Sequence, residues 1–593
     1  MKDQAVLILG LGVSGLAMAR WCLRQGARVT VADTREAPPQ LTALQAECPQ
    51  ASFLAGPFGD ALLQRDEWQL IARSPGLAPS SLQPVFDWAL ARGVAVAGEL
   101  DLFARALSEL GQRDRLPYRP KVLAITGTNG KTTVTALTGL LLQRAGVNVA
   151  VAGNIGPPLM DVLMAALDHE CIAQQADDER AAAQAQADAP PPALAQATPV
   201  QESAVEGDPD DANPDANPDT EVDAEGEDEG STQLVPPPIE PPQPLHLPSV
   251  WVLELSSFQL DGTAGSAWDR VPTAATVLNL TEDHLDWHGG MVAYTQAKAA
   301  VFGAQALMLL NRDDPLVMAM QPGLVTVKVG NRNRQQSARP WTTFGLDVPA
   351  RAGDWGIETV NGMAWLVRAL ALDETRKRGR GSDEEEEIYF QRLMPVDALR
   401  IRGRHNAANA LAALALATST GAALGPMLHG LREYRGEPHR VEPVAIVNEV
   451  EYFDDSKGTN VGATLAAVRG LGAERRLVVI LGGDGKGQDF APLAEPLARH
   501  ARAVVYIGRD AALLRAAVSA ALDDSGVHQL DAASLPEAVT LAAQQARAGD
   551  AVLMSPACAS LDMFDNYGHR ARVFVEAVRT LALEHGVSLE SGQ

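Results

Sequence analysis

A segment rich in glycine and threonine, at residues 127–133, has the residue types that bind phosphate. It reads Gly-Thr-Asn-Gly-Lys-Thr-Thr, follows the apolar run Val122–Ile125 and precedes residues with helical spacing. In such a loop the backbone N–H groups surround phosphate oxygens, Lys131 supplies a positive charge and the Thr132 hydroxyl can bind Mg²⁺. Ile125 stands where the strict motif has its first glycine. The chemistry tolerates this change, so the segment predicts a nucleoside triphosphate site.

A second glycine loop lies near the start of the chain. Gly10, Gly12 and Gly15 have the G-x-G-x-x-G spacing of a loop between a strand and a helix, where the backbone can approach a diphosphate. Asp33 ends the next apolar run and can accept a hydrogen bond from a hydroxyl. Taken alone, the loop indicates a nucleotide ligand, NAD by default, or glycines needed only for tight packing. Together, the two loops favour transfer of a group between two phosphorylated ligands, because a dehydrogenase has no use for the phosphate loop.

Three further residues are candidates for metal binding or catalysis. Glu254 lies at the end of the apolar run Val252–Leu255, where a carboxylate can bind a metal beside the phosphate loop or can cap the following helix. His284 follows Asp283 just after another apolar run, and it is either a ligand or a structural side chain. Lys298 lies among small residues on an expected helix, and its spacing alone does not single it out.

Strands and helices alternate along most of the chain, which is the pattern of α/β folds with parallel sheets. We therefore predict an α/β protein of three domains: an N-terminal Rossmann-like domain, a central domain whose parallel sheet carries the phosphate loop, and a C-terminal Rossmann-like domain. The apolar runs that we interpret as strands are Ala5–Leu9, Arg28–Ala32, Leu70–Ala72, Lys121–Ile125, Ala274–Leu278, Leu477–Leu481, Ala503–Ile507 and Ala551–Met554.

An acidic, proline-rich stretch interrupts the central domain. Residues 168–247 hold 20 acidic groups, one basic group and 13 prolines, and they contain no Trp, Tyr or Phe. Such a stretch cannot bury enough apolar area to offset its ordering entropy, so we predict a disordered insertion. It is either a solvated spacer or a docking segment for a protein partner. A second charged stretch, residues 373–387, is expected to be an exposed loop.

The rest of the composition narrows the class of protein. The chain has 593 residues with 46% hydrophobic and 21% charged residues, which suits globular cores. The net charge of −25 belongs mostly to the insertion, since the other residues together carry only −6. No basic stripe indicates nucleic-acid binding. No apolar stretch approaches the ~20 residues that a membrane span needs, so we predict no membrane insertion.

The cysteines and the N-terminus indicate the compartment. Four scattered cysteines without paired metal spacing are typical of a reducing environment. Lys2 and the apolar run that follows imitate a signal peptide, but Gly10, Gly12 and Gly15 interrupt this run. We therefore expect a cytoplasmic protein.

Several motifs, in this order along the chain, together resemble the Mur ligase family of ATP-dependent, amide-forming enzymes of peptidoglycan precursor synthesis. They cover the chain apart from residues 168–247 and 373–387. The pattern is most similar to the members that add D-glutamate, through Asp33-Thr34-Arg35 and the last motif. Besides residues 127–133, the motifs are residues 153–156 (GNIG), 254–259 (ELSSFQ), 281–284 (TEDH), 403–406 (GRHN), 438–440 (PHR), 455–460 (DSKGTN), 482–486 (GGDGK) and 555–560 (SPACAS).

The resemblance implies the ligands and the domain roles. The ligands would be UDP-N-acetylmuramoyl-L-alanine, D-glutamate and ATP, and the product amide would form through an acyl phosphate. Residues 1–98 would bind the UDP substrate, residues 99–437 would bind ATP, and residues 438–593 would bind D-glutamate and close on ATP. The protein would act as a monomer. The alternatives are a ligase similar to folylpolyglutamate synthase, against which the N-terminal domain and Asp33-Thr34-Arg35 argue, and a cell-wall scaffold that acts through the acidic insertion.

The resemblance also implies roles for individual residues. The ATP site would comprise Gly127, Thr128, Asn129, Gly130, Lys131, Thr132, Thr133, Asn409, Arg440, Asp455 and Lys457. The UDP site would comprise Gly12, Val13, Ser14, Gly15, Asp33, Thr34, Arg35, Ser74, Pro75, Gly76 and Asn154. The D-glutamate site would comprise Thr459, Lys486, Ser560 and Tyr567.

Two Mg²⁺ sites are implied in the same way. Thr132 and Glu254 would serve one ion, and His284 with a carbamylated Lys298 would serve the second. Addition of CO₂ to a neutral amine turns a cation into an anionic oxygen ligand, which Mg²⁺ prefers. Lys131, Glu254, His284 and Lys298 would form the catalytic set.

Overall fold

The computed structural model describes residues 1–65, 68–114, 116–187, 246–329, 332–372 and 387–587. Three sheets follow one another along the chain, each with helices on its faces. Among these residues, no helix is both long enough and apolar enough to cross a membrane.

The first sheet has five parallel strands in the order β3-β2-β1-β4-β5. Its glycine loop follows β1 and leads into the first helix, as the spacing predicts. The strands are Ala5–Leu9 (β1), Arg28–Asp33 (β2), Ser52–Ala55 (β3), Leu70–Arg73 (β4) and Ala95–Ala97 (β5). The helices are Val13–Arg24 (α1), Leu41–Glu47 (α2), Asp60–Leu63 (α3), Gln83–Arg92 (α4) and the connecting helix Glu99–Leu110 (α5).

The central sheet has nine strands in the order β16-β15-β14-β13-β10-β9-β6-β8-β7. Its strands are Lys121–Thr126 (β6), Val149–Gly153 (β7), Val250–Glu254 (β8), Ala274–Val277 (β9), Leu307–Asn311 (β10), Trp341–Phe344 (β13), Trp355–Val360 (β14), Met363–Ala371 (β15) and Ile388–Pro395 (β16), and a separate hairpin comprises Leu324–Val329 (β11) and Arg332–Ser337 (β12). Its helices are Lys131–Arg144 (α6), Leu159–Ala187 (α7), Ser257–Leu260 (α8), Leu285–His288 (α9), Met291–Ala299 (α10), Pro315–Met318 (α11), Arg404–Thr418 (α12) and Leu424–Glu433 (α13).

The third sheet has six strands in the order β17-β18-β22-β19-β20-β21. Its strands are Glu442–Val447 (β17), Val450–Asp454 (β18), Leu477–Gly482 (β19), Ala501–Ile507 (β20), His528–Asp531 (β21) and Ala551–Met554 (β22). Its helices are Val461–Gly472 (α14), Ala494–His500 (α15), Ala511–Asp524 (α16), Leu535–Gln545 (α17) and Tyr567–Glu584 (α18).

The α/β prediction is confirmed, with antiparallel additions at two sheet edges. β15 pairs antiparallel with both β14 and β16, and β17 pairs antiparallel with β18. Antiparallel neighbours can be joined by a tight turn, whereas parallel strands need a crossover helix. These hairpins therefore lack the strand-helix alternation on which the prediction rested.

The predicted start of the disordered insertion, at Asp168, is wrong. Helix α7 continues to Ala187. Asp168 of this helix forms an ion pair with Arg24 at the end of α1 (2.6 Å), and Glu170 forms one with Arg113, which follows α5 (3.2 Å). The first proline of the stretch comes only at Pro190, and residues 168–187 are rich in Ala and Gln, which favour helix. The remainder, residues 188–245, lies outside the described residues, as do residues 373–386 of the charged loop.

The apolar core is continuous between the first two sheets. One buried cluster runs from Val6 and Ile8 in β1 through Phe103 in α5 to Trp251 in β8. The Phe103 and Trp251 rings meet edge to face with centroids 5.0 Å apart. The buried clusters of the third sheet, by contrast, contain only residues beyond 440. The first and central units thus share a core, whereas the third unit has its own.

Candidate active site

The phosphate loop connects β6 to α6 and is shaped by two glycines. Gly127 and Gly130 have φ of 149° and 83°, a region that favours glycine. A Cβ on Gly130 would lie 2.7 Å from Oδ1 of Asn409, so the loop also needs glycine for space. Nζ of Lys131 donates to the carbonyl oxygens of Gly127 and Thr128, both at 2.8 Å. Burial lowers the pKa of Lys131, and Glu254 acts in the opposite direction.

Glu254 lies at the carboxyl end of β8, and only one of its two carboxylate oxygens accepts a hydrogen bond among the described residues. The residue is 2% exposed, and its Oε1 accepts a hydrogen bond from Asn154 Nδ2 at 2.8 Å. Its Oε2 is buried and has no hydrogen-bond partner among the described residues. Helix α8 is instead capped by Ser256, so Glu254 does not cap it. An unpartnered buried carboxylate oxygen and a threonine hydroxyl on the loop are hard oxygen donors, which fit Mg²⁺.

Lys298 and His284 have different partners in the structure. Lys298 is 2% exposed, and its Nζ donates to the Gly127 carbonyl at 2.8 Å. Its pKa is well below the ordinary value, first because of burial and then because of Lys131. His284 packs on Phe258 with ring centroids 4.7 Å apart, and burial lowers its pKa. Its Nε2 is 3.6 Å from Oδ2 of Asp283.

The third unit contacts the phosphate loop directly. Nη2 of Arg440 donates to Oγ1 of Thr132 at 2.6 Å. Nδ2 of Asn460 donates to Asn129 Oδ1 at 3.2 Å and to Asp283 Oδ2 at 3.3 Å. Asn460 was not among the predicted site residues, although it ends one of the motifs and caps α14. These bonds place the third unit closed on the central one.

A cavity of about 260 Å³ lies between the loop, α12 and the third unit. Among the predicted residues it is lined by Asn129, Gly130, Thr133, Asn409, Arg440 and Asp455. The predicted site did not include other lining residues. Four of them are apolar and carry no chemical signal by themselves, namely Ile401, Val441, Ala463 and Ala467, and two are polar, namely His405 and Asn406. Burial lowers the pKa of His405 to about 4, so the ring is neutral. An apolar wall beside a phosphate loop suits a nucleoside.

Asp454 and Asp455 of the third unit have different hydrogen-bond partners. Asp455 lines the cavity, accepts a hydrogen bond from Ser555 Oγ at 2.6 Å, and has a pKa raised to about 7 by burial. Asp454 accepts from His439 Nδ1 at 2.7 Å and raises its pKa, and Glu442 lies beside the pair. His439 directly precedes Arg440, so the pair anchors the start of the third unit.

The first unit's loop is organised by Asp33. Oδ2 of Asp33 accepts from the Leu11 backbone N–H at 2.7 Å, and Arg35 binds both carboxylate oxygens at 2.8 Å. Arg35 is the main reason that the pKa of Asp33 falls to about 2. Ser74 Oγ donates to the Gly10 carbonyl at 3.0 Å, which joins the residues 74–76 to the glycine loop. Val13 and Thr34 are exposed beside it.

The four residues predicted to bind D-glutamate are spread over the third unit. Lys486 has a φ of 49° and lines a small cleft opposite Asp283 and His284. Tyr567 begins α18, and Lys457 Nζ lies 5.0 Å from the centre of its ring. Ser560 is buried in the loop after β22, and Thr459 is half-buried before α14. The structure thus brings Lys486 to the central unit's acidic loop and pairs Tyr567 with Lys457.

A phosphate loop on a parallel sheet, covered by a third α/β unit, defines a three-unit nucleotide-dependent enzyme. Family models agree with this class. The matching models are described as Mur ligase MurD-like, N-terminal domain (residues 4–98), Mur ligase middle domain (residues 245–344) and Mur ligase, glutamate ligase domain (residues 439–558).

Curated relatives match over nearly the whole chain. A UDP-N-acetylmuramoylalanine–D-glutamate ligase of Albidiferax ferrireducens is 54% identical, with 100% of this chain and 99% of the relative covered. Proteins of the same name from Polaromonas sp. and Burkholderia vietnamiensis are 50% and 49% identical, with at least 98% of each chain covered. The chain belongs to the Mur ligase family.

Proposed function

We propose that this chain adds D-glutamate to UDP-N-acetylmuramoyl-L-alanine with hydrolysis of ATP to ADP and phosphate, a step in peptidoglycan precursor synthesis. The proposal is carried by one observation: a chain 54% identical end to end to a ligase of that name brings Lys131, Glu254 and Arg440 to one phosphate loop. The relatives' names give no support to the folylpolyglutamate synthase alternative.

ATP binds across the central and third units in this proposal. Its phosphates lie on residues 127–133, where the backbone N–H groups and Lys131 offset their charge. Its nucleoside occupies the cavity with Asn409 and Asp455, beside the neutral ring of His405. Arg440, already 2.6 Å from Thr132 Oγ1, is placed to contact the phosphates, with Lys457 farther along the same unit.

Magnesium would be held by Thr132 and Glu254, with His284 and a carbamylated Lys298 serving a second ion. When bound, Mg²⁺ offsets the charge that develops on phosphate oxygens. Burial supports the carbamate, because a lowered pKa leaves more of Lys298 as the neutral amine that adds to CO₂. The number of metal ions and the carbamate belong to this proposal alone.

The other two substrates lie on either side of the phosphate loop. The UDP end of the sugar nucleotide binds residues 12–15, 33–35 and 74–76, with Asn154 nearby, and its L-alanine carboxylate extends to the loop. D-Glutamate binds Thr459, Lys486, Ser560 and Tyr567. Lys486 supplies a positive charge for one of its carboxylates.

Amide formation follows from this placement. A carboxylate oxygen of L-alanine attacks the γ-phosphorus of ATP, ADP leaves, and an acyl phosphate forms. The amine of D-glutamate then attacks the carbonyl carbon, loses a proton, and phosphate leaves with the original carboxylate oxygen. Lys131 offsets charge on the transferring oxygens, and the closed third unit excludes water that would hydrolyse the acyl phosphate.

The test is phosphate release from ATP in the presence of UDP-N-acetylmuramoyl-L-alanine and D-glutamate. Lys131→Ala should abolish release, because the loop then lacks its charge. Lys121→Ala is a matched control at the other end of β6, where Nζ bonds to the Thr420 carbonyl at 2.6 Å, and it should leave turnover within about twofold. Near-normal turnover by Lys131→Ala would refute the role of the loop. Omitting D-glutamate should stop turnover in the unmodified chain.

Three expectations stay predictions. A cytoplasmic location is supported by the four free cysteines, three of them buried. The monomeric state and a protein partner for the acidic insertion have no further support.

A further inference from the structure

An arginine of the first unit binds the central unit beside residues 74–76 of the predicted UDP site. Nη2 of Arg73, the last residue of β4, donates to the carbonyl oxygen of Asp261 at 2.6 Å and to its Oδ2 at 2.8 Å. The Arg73 side chain is 9% exposed, and that of Asp261 is 32% exposed. The guanidinium carbon also lies 6.0 Å from the Phe86 ring centre. This contact is therefore a sheltered, charge-assisted pair and not a surface ion pair.

The two residues adjoin the segments that carry the site. Arg73 directly precedes residues 74–76 of the UDP site, and Ser74 is bonded to Gly10. Asp261 ends the short segment that starts at Glu254 and runs through α8, where the Asp261 N–H donates to the Ser257 carbonyl at 3.0 Å. The Arg73–Asp261 pair thus connects two segments through only a few residues on each side. These are residues 74–76, here called the sugar-nucleotide loop, and residues 254–261, which contain the predicted metal ligand Glu254.

The turn after Asp261 and the burial of Arg73 define the surroundings of this pair. Gly262 has a φ of 74°, which favours glycine, and a Cβ there would be in van der Waals contact with Arg73 Nη2 at 3.4 Å. Nη1 of Arg73 is buried and has no partner within the described ranges. A buried guanidinium that loses its counter-charge incurs a desolvation cost that a surface arginine does not.

The first and central units also share one apolar core, whereas the third unit contacts the phosphate loop through polar side chains. The shared core sets the approximate arrangement of the first two units. A side-chain pair beside residues 74–76 and the segment that starts at Glu254 can set the remaining fraction of an ångström, on which a transfer between two bound ligands depends steeply.

We propose that Arg73 and Asp261 are positioning residues that hold the sugar-nucleotide loop in register with the phosphate loop, so that the L-alanine carboxylate meets the γ-phosphorus. The inference rests on the proposed function. Neither residue touches a reacting atom. Loss of the pair therefore slows phosphoryl transfer without weakening the binding of either nucleotide.

The test compares Asp261→Asn with two matched controls in the full chain. Asp347→Asn alters a pair of the same form inside the central unit, where Arg312 Nη2 bonds to Oδ1 at 2.7 Å and to the carbonyl of Asp347. Asp161→Asn alters another pair between the first two units, Arg20–Asp161 at 2.9 Å, which joins α1 to α7 and contains none of the predicted site residues. We expect Asp261→Asn to lower kcat about tenfold, with KM for ATP and for UDP-N-acetylmuramoyl-L-alanine within twofold. Both controls should keep kcat within twofold.

The inference holds if kcat of Asp261→Asn is at least threefold below both controls and the KM values are unchanged. A smaller fall, an equal fall in Asp161→Asn, or a rise in KM alone would overturn it. If Asp261→Asn does not fold, Arg73→Lys is judged by the same criterion, and loss of folding in both would show a purely structural role. An unmodified chain without D-glutamate-dependent phosphate release would instead refute the proposed function.

Discussion

Glu99 shows at the residue scale how burial tunes a carboxyl group in this chain. It lies at the start of α5 and is 2% exposed, and its Oε1 accepts from the Met160 N–H at 3.1 Å. Its Oε2 is buried without a hydrogen-bond partner among the described residues. Burial raises the pKa of Glu99 from 4.5 to about 7, although hydrogen bonds from Met160 and Ser14 act in the opposite direction. The neutral carboxyl is therefore the form that the shared core favours.

The raised pKa gives a pH-dependent contribution to stability. The unfolded chain loses the Glu99 proton near pH 4.5 and the folded chain near pH 7, so the folded state binds more protons between these values. This contribution is complete below about pH 4.5 and is lost as the pH rises to about 7. Glu99→Gln mimics the neutral carboxyl and lacks this loss. We expect the unfolding free energy of the unmodified chain, relative to Glu99→Gln, to fall by at most about 3 kcal/mol between pH 4.5 and 7.5. Urea unfolding of both proteins measures it, and parallel pH profiles would contradict it.

The sequence predicts the positions of candidate site residues where the pattern is local, and their roles stay predictions. The phosphate loop, Glu254 and Arg440 lie where their motifs indicate, because charge and spacing carry that information. Asn460, Arg73 and His405 escaped prediction since their roles depend on which unit packs against them. In the structure Asp33 accepts from the Leu11 N–H and from Arg35, and its expected hydrogen bond from a ligand hydroxyl stays a prediction.

At the scale of elements, strand prediction succeeded for isolated apolar runs. β1 at Ala5–Leu9 and β22 at Ala551–Met554 have the predicted bounds, and β20 starts two residues earlier than expected. The paired strands β14–β16 and β17–β18 were missed, since their alternating or short segments resemble loops. Acidic composition concealed the part of α7 that follows Leu167, which begins with the contacts of Asp168 with Arg24 and of Glu170 with Arg113.

Helix α7 sets where the acidic insertion can be removed. His246 Nε2 lies 2.9 Å from Oδ2 of Asp177, about 15 Å along the helix from Ala187. A Gly/Ser linker of about eight residues spans this distance when extended. Because the composition of residues 188–245 favours no core, their replacement by this linker should leave folding intact and turnover within about threefold.

A longer deletion provides the control. Removal of residues 168–245 also eliminates the partners of Arg24 and Arg113, and it should lower the midpoint of thermal unfolding by several degrees. Thermal unfolding and phosphate release of both deletions give the comparison. Failure of the shorter deletion to fold would show that residues 188–245 contribute to the folded structure.

At the scale of the molecule, the interface between the first and central units differs in kind from the interface between the central and third units. The first and central units share an apolar core and the Arg73–Asp261 pair, which suits a fixed arrangement of sugar nucleotide and phosphate loop. The third unit meets the loop through Arg440 and Asn460, polar contacts that can form and break as ligands enter. We therefore expect the interface of the third unit to control the entry of ligands, and the interface of the first two units to set the position of the sugar nucleotide relative to the phosphate loop.

The central claim is that the L-alanine carboxylate and the γ-phosphate of ATP meet directly at the phosphate loop. The most direct measurement uses UDP-N-acetylmuramoyl-L-alanine with both carboxylate oxygens labelled with ¹⁸O. After turnover with ATP and D-glutamate, mass spectrometry of the released phosphate gives its label. Formation of an acyl phosphate predicts one ¹⁸O atom in each phosphate, because the carboxylate oxygen leaves with it. Turnover that releases unlabelled phosphate would contradict the account.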